Sequence, residues 1–167
     1  MLKKILKHFS LGALIVGSLV VNPLMANDCT DLIKQKKVYD AVDICTKMAK
    51  QGNVPAQFAL GTLYFQGQGV MADKKLGFKW VKRAAEGGLP VAQYNVGIML
   101  ANGMGVEANL EKAYTWIYIA DKYGYQEAKG PMQEMAKELS KKEKQRAEKA
   151  AEQLLDKNQE VKEKNSL

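Results

Sequence analysis

The sequence predicts an all-α protein, a solenoid of about three to four antiparallel helix pairs. Two observations support this prediction. Apolar residues recur at spacings of three and four, and no segment alternates apolar and polar residues as a half-buried strand would. In addition, residues 55–90 and 91–126 align without a gap at ten identical positions, where chance would give about two, and a period of this length is typical of helical repeats.

The ten identities are mostly glycine and alanine, with one tryptophan in each copy. Gly61 and Gly97 are expected to permit a close approach of two helices. The recurrence of Trp80 and Trp116 at the repeat period indicates core positions rather than ligand platforms. The pairs are Ala56/Ala92, Gln57/Gln93, Gly61/Gly97, Gly67/Gly103, Gly69/Gly105, Val70/Val106, Ala72/Ala108, Trp80/Trp116, Ala84/Ala120 and Gly88/Gly124.

Residues 1–26 have the three-part pattern of a secretory signal peptide. A lysine-rich start precedes an apolar segment at residues 11–21, and cleavage is expected after Ala26. The alternative is a membrane anchor, but an apolar helix of that length rises only about 17 Å, against a hydrocarbon layer of about 30 Å. The sequence therefore predicts a periplasmic or secreted protein with no stable membrane insertion after cleavage.

Removal of this leader changes the charge and the available chemistry. The whole chain has 25 Lys and Arg against 18 Asp and Glu, and the net charge falls from +7 to +4 because the leader holds three lysines and no acid. No clustered basic face stands out, which argues against nucleic-acid binding. The only histidine, His8, leaves with the leader. No imidazole then remains for acid–base catalysis or metal ligation, and we expect no metal and no other cofactor.

The first unit, residues 27–53, is a partial repeat that contains both cysteines of the chain. Two helices are expected here, joined by a short turn near Val38 to Asp40. An even pair of cysteines in an oxidising compartment indicates a disulfide between Cys29 and Cys45. Such a bridge stabilises by about 3 kcal/mol in the chain-entropy model. A redox switch is the weaker alternative because neither cysteine lies in a C-x-x-C motif.

Two full repeats follow, at residues 54–89 and 90–125, and each places a Gly-x-Gly loop between two helices. Asp73 and Asn109 are expected to cap the second helices. A dinucleotide-binding loop would follow a strand and need a third glycine. A Walker loop would need Gly-Lys followed by Ser or Thr, which neither copy has. We therefore interpret the loop glycines as positions that allow positive φ where the chain reverses: Gly67, Gly69, Gly103 and Gly105.

The C-terminal capping unit, residues 126–157, ends in a highly charged helix. Ser140 and Glu143 form the capping box at which this helix is expected to begin. Its narrow stripe of alanine and leucine suits a terminal helix with a polar outer face. Residues 158–167 are expected to be a frayed tail.

The repeat resembles the Sel-1-like repeat, a longer-looped relative of the tetratricopeptide repeat. The shared pattern is A-x-x-x-L-G-x-x-Y-x-x-G-x-G-V-x-x-D-x-x-x-[AG]-x-x-W-x-x-x-A-A-x-x-G. The second full repeat departs from it at Leu100, Asn109 and Asp121, and the resemblance covers residues 41 to about 156. The first full repeat matches at Ala56, Leu60, Gly61, Tyr64, Gly67, Gly69, Val70, Asp73, Gly77, Trp80, Ala84, Ala85 and Gly88.

This resemblance implies a right-handed stack of helix pairs with a concave surface that binds another protein. The family includes exported bacterial proteins implicated in host interaction, envelope regulation, or immunity against toxins delivered by secretion systems. Some cysteine-rich relatives are described as penicillin-binding or β-lactam-hydrolysing. Our leading hypothesis is a non-catalytic scaffold or adaptor in the bacterial envelope, including an immunity protein against a secreted toxin. The alternatives are a β-lactam-binding or cell-wall hydrolytic enzyme and a structural envelope protein.

No catalytic residues are predicted. A penicillin-type site needs Ser-x-x-Lys, but Ser140 is followed at that offset by Glu143, and Ser166 lies in the tail. Acidic residues that could act as a pair lie at expected turns and helix ends, where a solvated or capping role is the better interpretation: Glu86, Glu107, Glu111 and Asp121.

The partner-binding surface is expected on the first helix of each full repeat. Exposed aromatic residues often mark partner sites. The alternative is that Phe58 and Tyr94 pack against the neighbouring unit, and the sequence leaves both interpretations open. The positions that face away from the packing stripe are Phe58, Thr62, Phe65 and Gln66 in one repeat and Tyr94, Ile98, Ala101 and Asn102 in the next. We refer to these eight positions as the groove face.

Overall fold

The computed structural model describes the backbone of residues 29–164 and the side chains of residues 29–157. The predicted signal peptide and its cleavage site lie outside these residues. The described part is helical and contains no strand, which confirms the predicted all-α solenoid. Its helices are α1 (Cys29–Lys34), α2 (Val38–Lys50), α3 (Val54–Gln66), α4 (Lys74–Glu86), α5 (Pro90–Asn102), α6 (Leu110–Lys122), α7 (Lys129–Glu138) and α8 (Lys141–Lys164).

Successive helices pack as hairpins, and each hairpin packs on the next. The pairs α1/α2, α3/α4 and α5/α6 form the hairpins, while α2 packs on α3 and α4 packs on α5. The apolar side chains form two clusters, one around α1 to α3 and one from α4 to α8. Trp80 of α4 is 8% exposed and lies in the first cluster, so it joins its own repeat to the preceding unit. Trp116, half-buried, packs against the second cluster.

The two helices of each full repeat approach each other at a glycine. A Cβ atom at Gly61 would lie 2.8 Å from the Val81 amide nitrogen and 2.9 Å from the Gly77 carbonyl oxygen. A Cβ atom at Gly97 would lie 3.0 Å from the Ala113 carbonyl oxygen. These distances are shorter than ordinary van der Waals contact, so a side chain at either position would force the helices apart.

Polar side chains cap the helices at the predicted positions. An Asp73 carboxylate oxygen accepts a hydrogen bond from the Leu76 amide at 2.9 Å, and the Asn109 side chain accepts one from the Lys112 amide at 2.8 Å. The capping box at the start of α8 is also formed, because Ser140 donates its amide hydrogen to Glu143 at 2.8 Å. These bonds satisfy donors that have no partner within the helix.

Four helices end in the same hydrogen-bonded motif, in which a residue with positive φ follows the last turn. That residue is glycine after α2, α4 and α6, but it is Lys36, with φ of 59°, after α1. The amide of Lys37 donates to the Leu32 carbonyl and the amide of Lys36 donates to the Ile33 carbonyl. The turn of the first hairpin therefore lies at residues 35–37. The expected turn near Val38 to Asp40 is wrong because this motif ends α1 early and lets α2 begin at Val38.

Replacement of Lys36 by glycine is expected to raise the free energy of unfolding by about 1 kcal/mol, since a residue with a Cβ atom is strained at this positive φ. Urea unfolding followed by circular dichroism measures the change. Lys37→Gly is the matched control, because Lys37 has a φ of −88° and the same change there adds only backbone freedom. A destabilised Lys36→Gly variant would contradict the prediction.

The terminal helix α8 packs on α6 through an ion pair, side-chain hydrogen bonds and two buried alanines. Arg146 donates to both carboxylate oxygens of Glu111, at 3.0 and 2.7 Å. The Thr115 hydroxyl lies 3.2 Å from the Ala147 carbonyl oxygen, and both Ala147 and Ala151 are buried. Small residues let this helix lie close to α6. The fold is thus closed at its C-terminal end by the chain itself, as a capping helix does.

Helix α8 continues to Lys164, so the first seven residues of the expected frayed tail, 158–164, are helical. Residues 158–164 contain no glycine or proline, and glutamate, lysine and glutamine favour helix. Fraying in solution stays a prediction for this segment. No helix in the described range is long and apolar enough to cross a membrane.

Acid is expected to loosen the contact between α6 and α8. The hydrogen bond from Arg146 lowers the pKa of Glu111 below its ordinary value. A carboxylate with a lowered pKa stabilises the folded state above its unfolded pKa, and this contribution is lost as the pH falls through the folded pKa. An NMR titration should therefore show Glu111 protonating below the usual glutamate range. In Arg146→Gln the pKa should return toward that range, and an unchanged titration curve would contradict the assignment.

Candidate protein-binding surface

The groove-face positions lie on α3 and α5 with graded exposure. Phe58, Phe65, Tyr94 and Ile98 are half-buried and pack on the second apolar cluster. Gln66 and Asn102, at the ends of the two helices, are exposed. The structure therefore brings the apolar members of the set onto one cluster and leaves the amide side chains at its edge. Their use in partner binding stays a prediction.

Local hydrogen bonds and ring contacts hold several of these side chains. The Thr62 hydroxyl donates to the Phe58 carbonyl oxygen at 3.0 Å, and the Asn102 side chain donates to the Ile98 carbonyl oxygen at 2.9 Å. The rings of Tyr94 and Tyr125 lie 5.2 Å apart between centroids, at a tilt of 45°. Tilted rings at this distance attract each other. Tyr94 thus contacts the last residue of its own repeat, after the end of α6, while part of its surface stays accessible.

Neither α3 nor α5 carries an acidic or basic side chain in its thirteen residues. The second helices differ: α4 contains five lysines and arginines, and α6 contains both signs of charge. Exposed positions on helices are ordinarily rich in charged residues. The uncharged, half-exposed faces of α3 and α5 are therefore unusual among the helices of this molecule.

The glycines of the two loops hold the repeats together. Gly67 and Gly103 end α3 and α5 with left-handed φ angles of 70° and 68°. Gly69 and Gly105 lie against the preceding unit: a Cβ atom at Gly69 would lie 2.7 Å from the Val38 carbonyl oxygen, and one at Gly105 would overlap the Lys74 backbone. The second glycine of each loop thus contacts the start of the second helix in the unit before it.

An open cavity of about 820 Å³ lies between the two loops, and we call it the loop notch. It is lined by apolar side chains of the first loop, by the start of α4 and by the glycines of the next loop. The sequence did not reveal this cavity, because it forms only when the loops of successive repeats lie side by side. The lining residues used below are Tyr64, Val70, Met71, Asp73, Lys74, Lys75, Gly103 and Gly105.

Two buried glutamines, to which the sequence analysis gave no role, link each full repeat to the unit before it. Gln57 donates to the Ala49 carbonyl oxygen and Gln93 donates to the Ala85 carbonyl oxygen, both at 3.2 Å. These carbonyls belong to the last turns of α2 and α4, where they also accept the amides of Gly52 and Gly88, so each glutamine adds a second hydrogen bond. The recurrence of Gln57 and Gln93 at the repeat period was the available signal, and it marks contacts between units.

Several of the side chains considered for chemistry already make structural contacts within the described range. Cys29 and Cys45 form the predicted disulfide, and both are completely buried. The Ser140 hydroxyl contacts Glu143 within the capping box. Burial raises the pKa of Tyr114 to about 12, and the neighbouring Glu148 adds to this shift, so the hydroxyl remains protonated at neutral pH. No group of three His, Cys, Asp or Glu side chains within the described range could hold a metal ion.

The fold and this surface define a class of protein, an α-solenoid built from repeated helix pairs. Residues 54–89 and 90–120 match the family model of the Sel1 repeat. The chain therefore contains two Sel1 repeats, and the resemblance to Sel-1-like repeat proteins is confirmed. No curated protein matches the chain.

Two solved structures are similar to this chain. One is a protective antigen present in uropathogenic Escherichia coli strains, described as displaying an SLR fold. It is 29% identical with a TM-score of 0.71, over 81% of this chain and 31% of that chain. The other is a Sel1 repeat protein from Oxalobacter formigenes, 33% identical with a TM-score of 0.57, over 60% of this chain and 41% of that one. This chain thus spans less than half the length of either relative.

Proposed function

We propose that this protein is a non-catalytic scaffold that binds another protein through the groove face of α3 and α5. The observation that carries the proposal is the lack of charged side chains on both helices, combined with half-exposed Phe58, Phe65, Tyr94 and Ile98. Aromatic side chains in such positions bury large apolar areas on binding, and a few of them often dominate affinity. Gln66 and Asn102 would supply polar contacts at the edge.

We place this binding in the periplasm or outside the cell. The disulfide between Cys29 and Cys45 is compatible with an oxidising compartment, and the leader-like residues 1–26 agree with export. A more specific version of this proposal is that the protein gives immunity against a secreted toxin. This version rests on the family resemblance alone. Co-expression with a toxin encoded beside this gene tests it: survival that depends on the groove face supports immunity, and toxicity that is unchanged contradicts it.

Site-specific photo-crosslinking in the producing organism tests the binding surface. A benzophenone amino acid at Gln66 or Asn102, both exposed at the edge of the groove face, is expected to give a protein adduct. The matched controls are Lys79 on α4 and Lys112 on α6, which are equally exposed but lie on second helices. Adducts at the control positions only, or at no position, would refute the groove face as the binding surface.

A single aromatic side chain is expected to account for much of the affinity. Once the crosslinked partner is purified, Tyr94→Ala should weaken its binding by about tenfold or more, as measured by isothermal titration calorimetry. Tyr39→Ala on α2 is the control, since Tyr39 is 78% exposed and lies outside the groove face. Equal effects of the two substitutions would contradict the proposed role of Tyr94.

The absence of catalysis is tested separately. Labelled penicillin is not expected to acylate the purified protein, because no Ser-x-x-Lys sequence is present. A stable penicillin adduct would favour the β-lactam-binding alternative.

A further inference from the structure

We propose that the loop notch is a second binding site, which takes an acidic segment of a partner protein with an apolar side chain between carboxylates. The inference rests on the proposed function in one respect, that the protein is a scaffold. It concerns a different surface, formed by the loops and the start of α4 rather than by the groove face.

The floor of the notch suits an apolar side chain. Tyr64 and Val70 line it with part of their surfaces exposed, and Met71 at its edge is 90% exposed. A single exposed apolar side chain is ordinary, but an apolar patch with a polar rim often marks a binding site, and Met71 extends the patch formed by Tyr64 and Val70. Methionine is flexible and adapts to the shape of what it contacts. A volume of about 820 Å³ leaves room for a side chain together with a short length of peptide.

The rim of the notch is positively charged. Lys74 and Lys75 are exposed there, and within residues 29–157 neither makes an ion pair. The acid that lines the cavity, Asp73, directs a carboxylate oxygen at the Leu76 amide as the cap of α4. Lys74 lines the cavity and also lies over the Phe65 ring, 5.8 Å from its centroid. The lysines are therefore available to carboxylates.

In the next repeat, the position equivalent to Lys75 is covered by α8 and its side chain forms an ion pair. Glu111 stands thirty-six residues after Lys75 in the repeat alignment. Its carboxylate is held by Arg146, which belongs to α8 as that helix packs on α6. At Lys75 the charge has the opposite sign, and no described segment supplies the complementary carboxylate. Charge complementarity thus calls for an acidic segment from outside the described chain.

The repeat that contains the notch lysines also carries a net positive charge. The repeat at residues 54–89 holds five lysines and arginines against two acids. One of these acids is Asp73, the cap of α4, and the other, Glu86, pairs with Lys82. A nucleic acid or an anionic membrane would also be attracted by this charge, but neither would fill an apolar cavity between two loops. These occupants are outcomes of the test.

The test uses a fluorescein-labelled peptide with a central phenylalanine flanked on both sides by glutamates, and fluorescence anisotropy with the disulfide-bonded protein. Lys74→Glu/Lys75→Glu is expected to weaken binding by about tenfold or more. The matched control is Lys141→Glu/Lys142→Glu, since these exposed lysines occupy the first two positions of α8 as Lys74 and Lys75 do of α4. Acidic residues are favourable at both helix starts, so folding should be preserved.

Further outcomes separate the notch from general charge attraction. Met71→Ser and a peptide with alanine in place of phenylalanine should each weaken binding, while the control variant binds as the unchanged protein does. No binding at low salt, equal loss in the control, or equal binding of the alanine peptide would overturn the proposal. The proposal would also be overturned if single-stranded DNA or phosphatidylglycerol vesicles bind more tightly than the peptide and lose this binding in Lys74→Glu/Lys75→Glu.

The two proposals fail in distinguishable ways. Crosslinks from Gln66 and Asn102 report the groove face, and neither residue lines the notch. If these adducts persist while the peptide does not bind, only the notch proposal fails. If the peptide binds at the notch while no groove adduct forms, the notch is retained and the groove face is rejected.

Discussion

Gly105→Ala is expected to lower the free energy of unfolding by about 3 kcal/mol. Part of the loss, about 1 kcal/mol, arises because alanine is strained at a φ of 75°. The rest arises because the new Cβ atom would overlap the Lys74 backbone, which belongs to a helix and cannot move aside without disturbing the contact between repeats. Urea unfolding measures the change.

Gly103→Ala provides a matched control in the same loop. Its φ is 68°, nearly that of Gly105, but the nearest atoms to an added Cβ lie 3.6 Å away. We therefore expect only the backbone strain of about 1 kcal/mol. If the two variants lose the same stability, contact between the loop and α4 does not contribute, and the proposed reason for the second glycine is wrong.

Reduction of the disulfide is expected to lower the free energy of unfolding by about 3 kcal/mol, the value for a closed loop of this length in the chain-entropy model. The cysteines are separated by sixteen positions and are both fully buried. Helix α1 has only six residues, too few to be stable alone. After reduction it should detach from α2 and α3, and trypsin should cut at Lys36 and Lys37 faster.

Unfolding with and without reductant measures this effect, and Cys29→Ala/Cys45→Ala should reproduce the reduced state. In that variant reductant should have no further effect, which separates the disulfide from other actions of the reagent. Protein isolated without reductant should contain no free thiol by mass spectrometry. Two reactive thiols, or equal stability in both redox states, would show that the bridge does not stabilise the first unit.

The elements predicted best were those specified by local residues. Asp73 and Asn109 cap their helices because a short polar side chain on a residue with extended backbone reaches the free amides of the first helical turn. The Ser140 and Glu143 capping box forms for the same reason. The turn of the first hairpin was misplaced because Lys36 has no signature in sequence: glycine is the usual residue at positive φ, and lysine is rare there.

The exposure of the groove face was predicted less completely. The spacing of residues identified which side of α3 and α5 faces away from the packing stripe. It could not decide between exposure and packing for Phe58 and Tyr94, and both side chains prove half-buried. The contact between Tyr94 and Tyr125 joins α5 to the connection that follows α6. Burial of such residues depends on the distance between neighbouring helices. The spacing of residues along one helix does not predict that distance.

The sequence by itself determined the helices, the repeat, the caps and the pairing of the cysteines, because each depends on residues near in the chain or on a period that can be counted. Only the tertiary structure decided that Gly105 lies against Lys74, that Arg146 holds Glu111, and that an open cavity lies between two loops. These contacts join residues thirty or more positions apart. Their formation depends on the angle and distance at which whole hairpins stack.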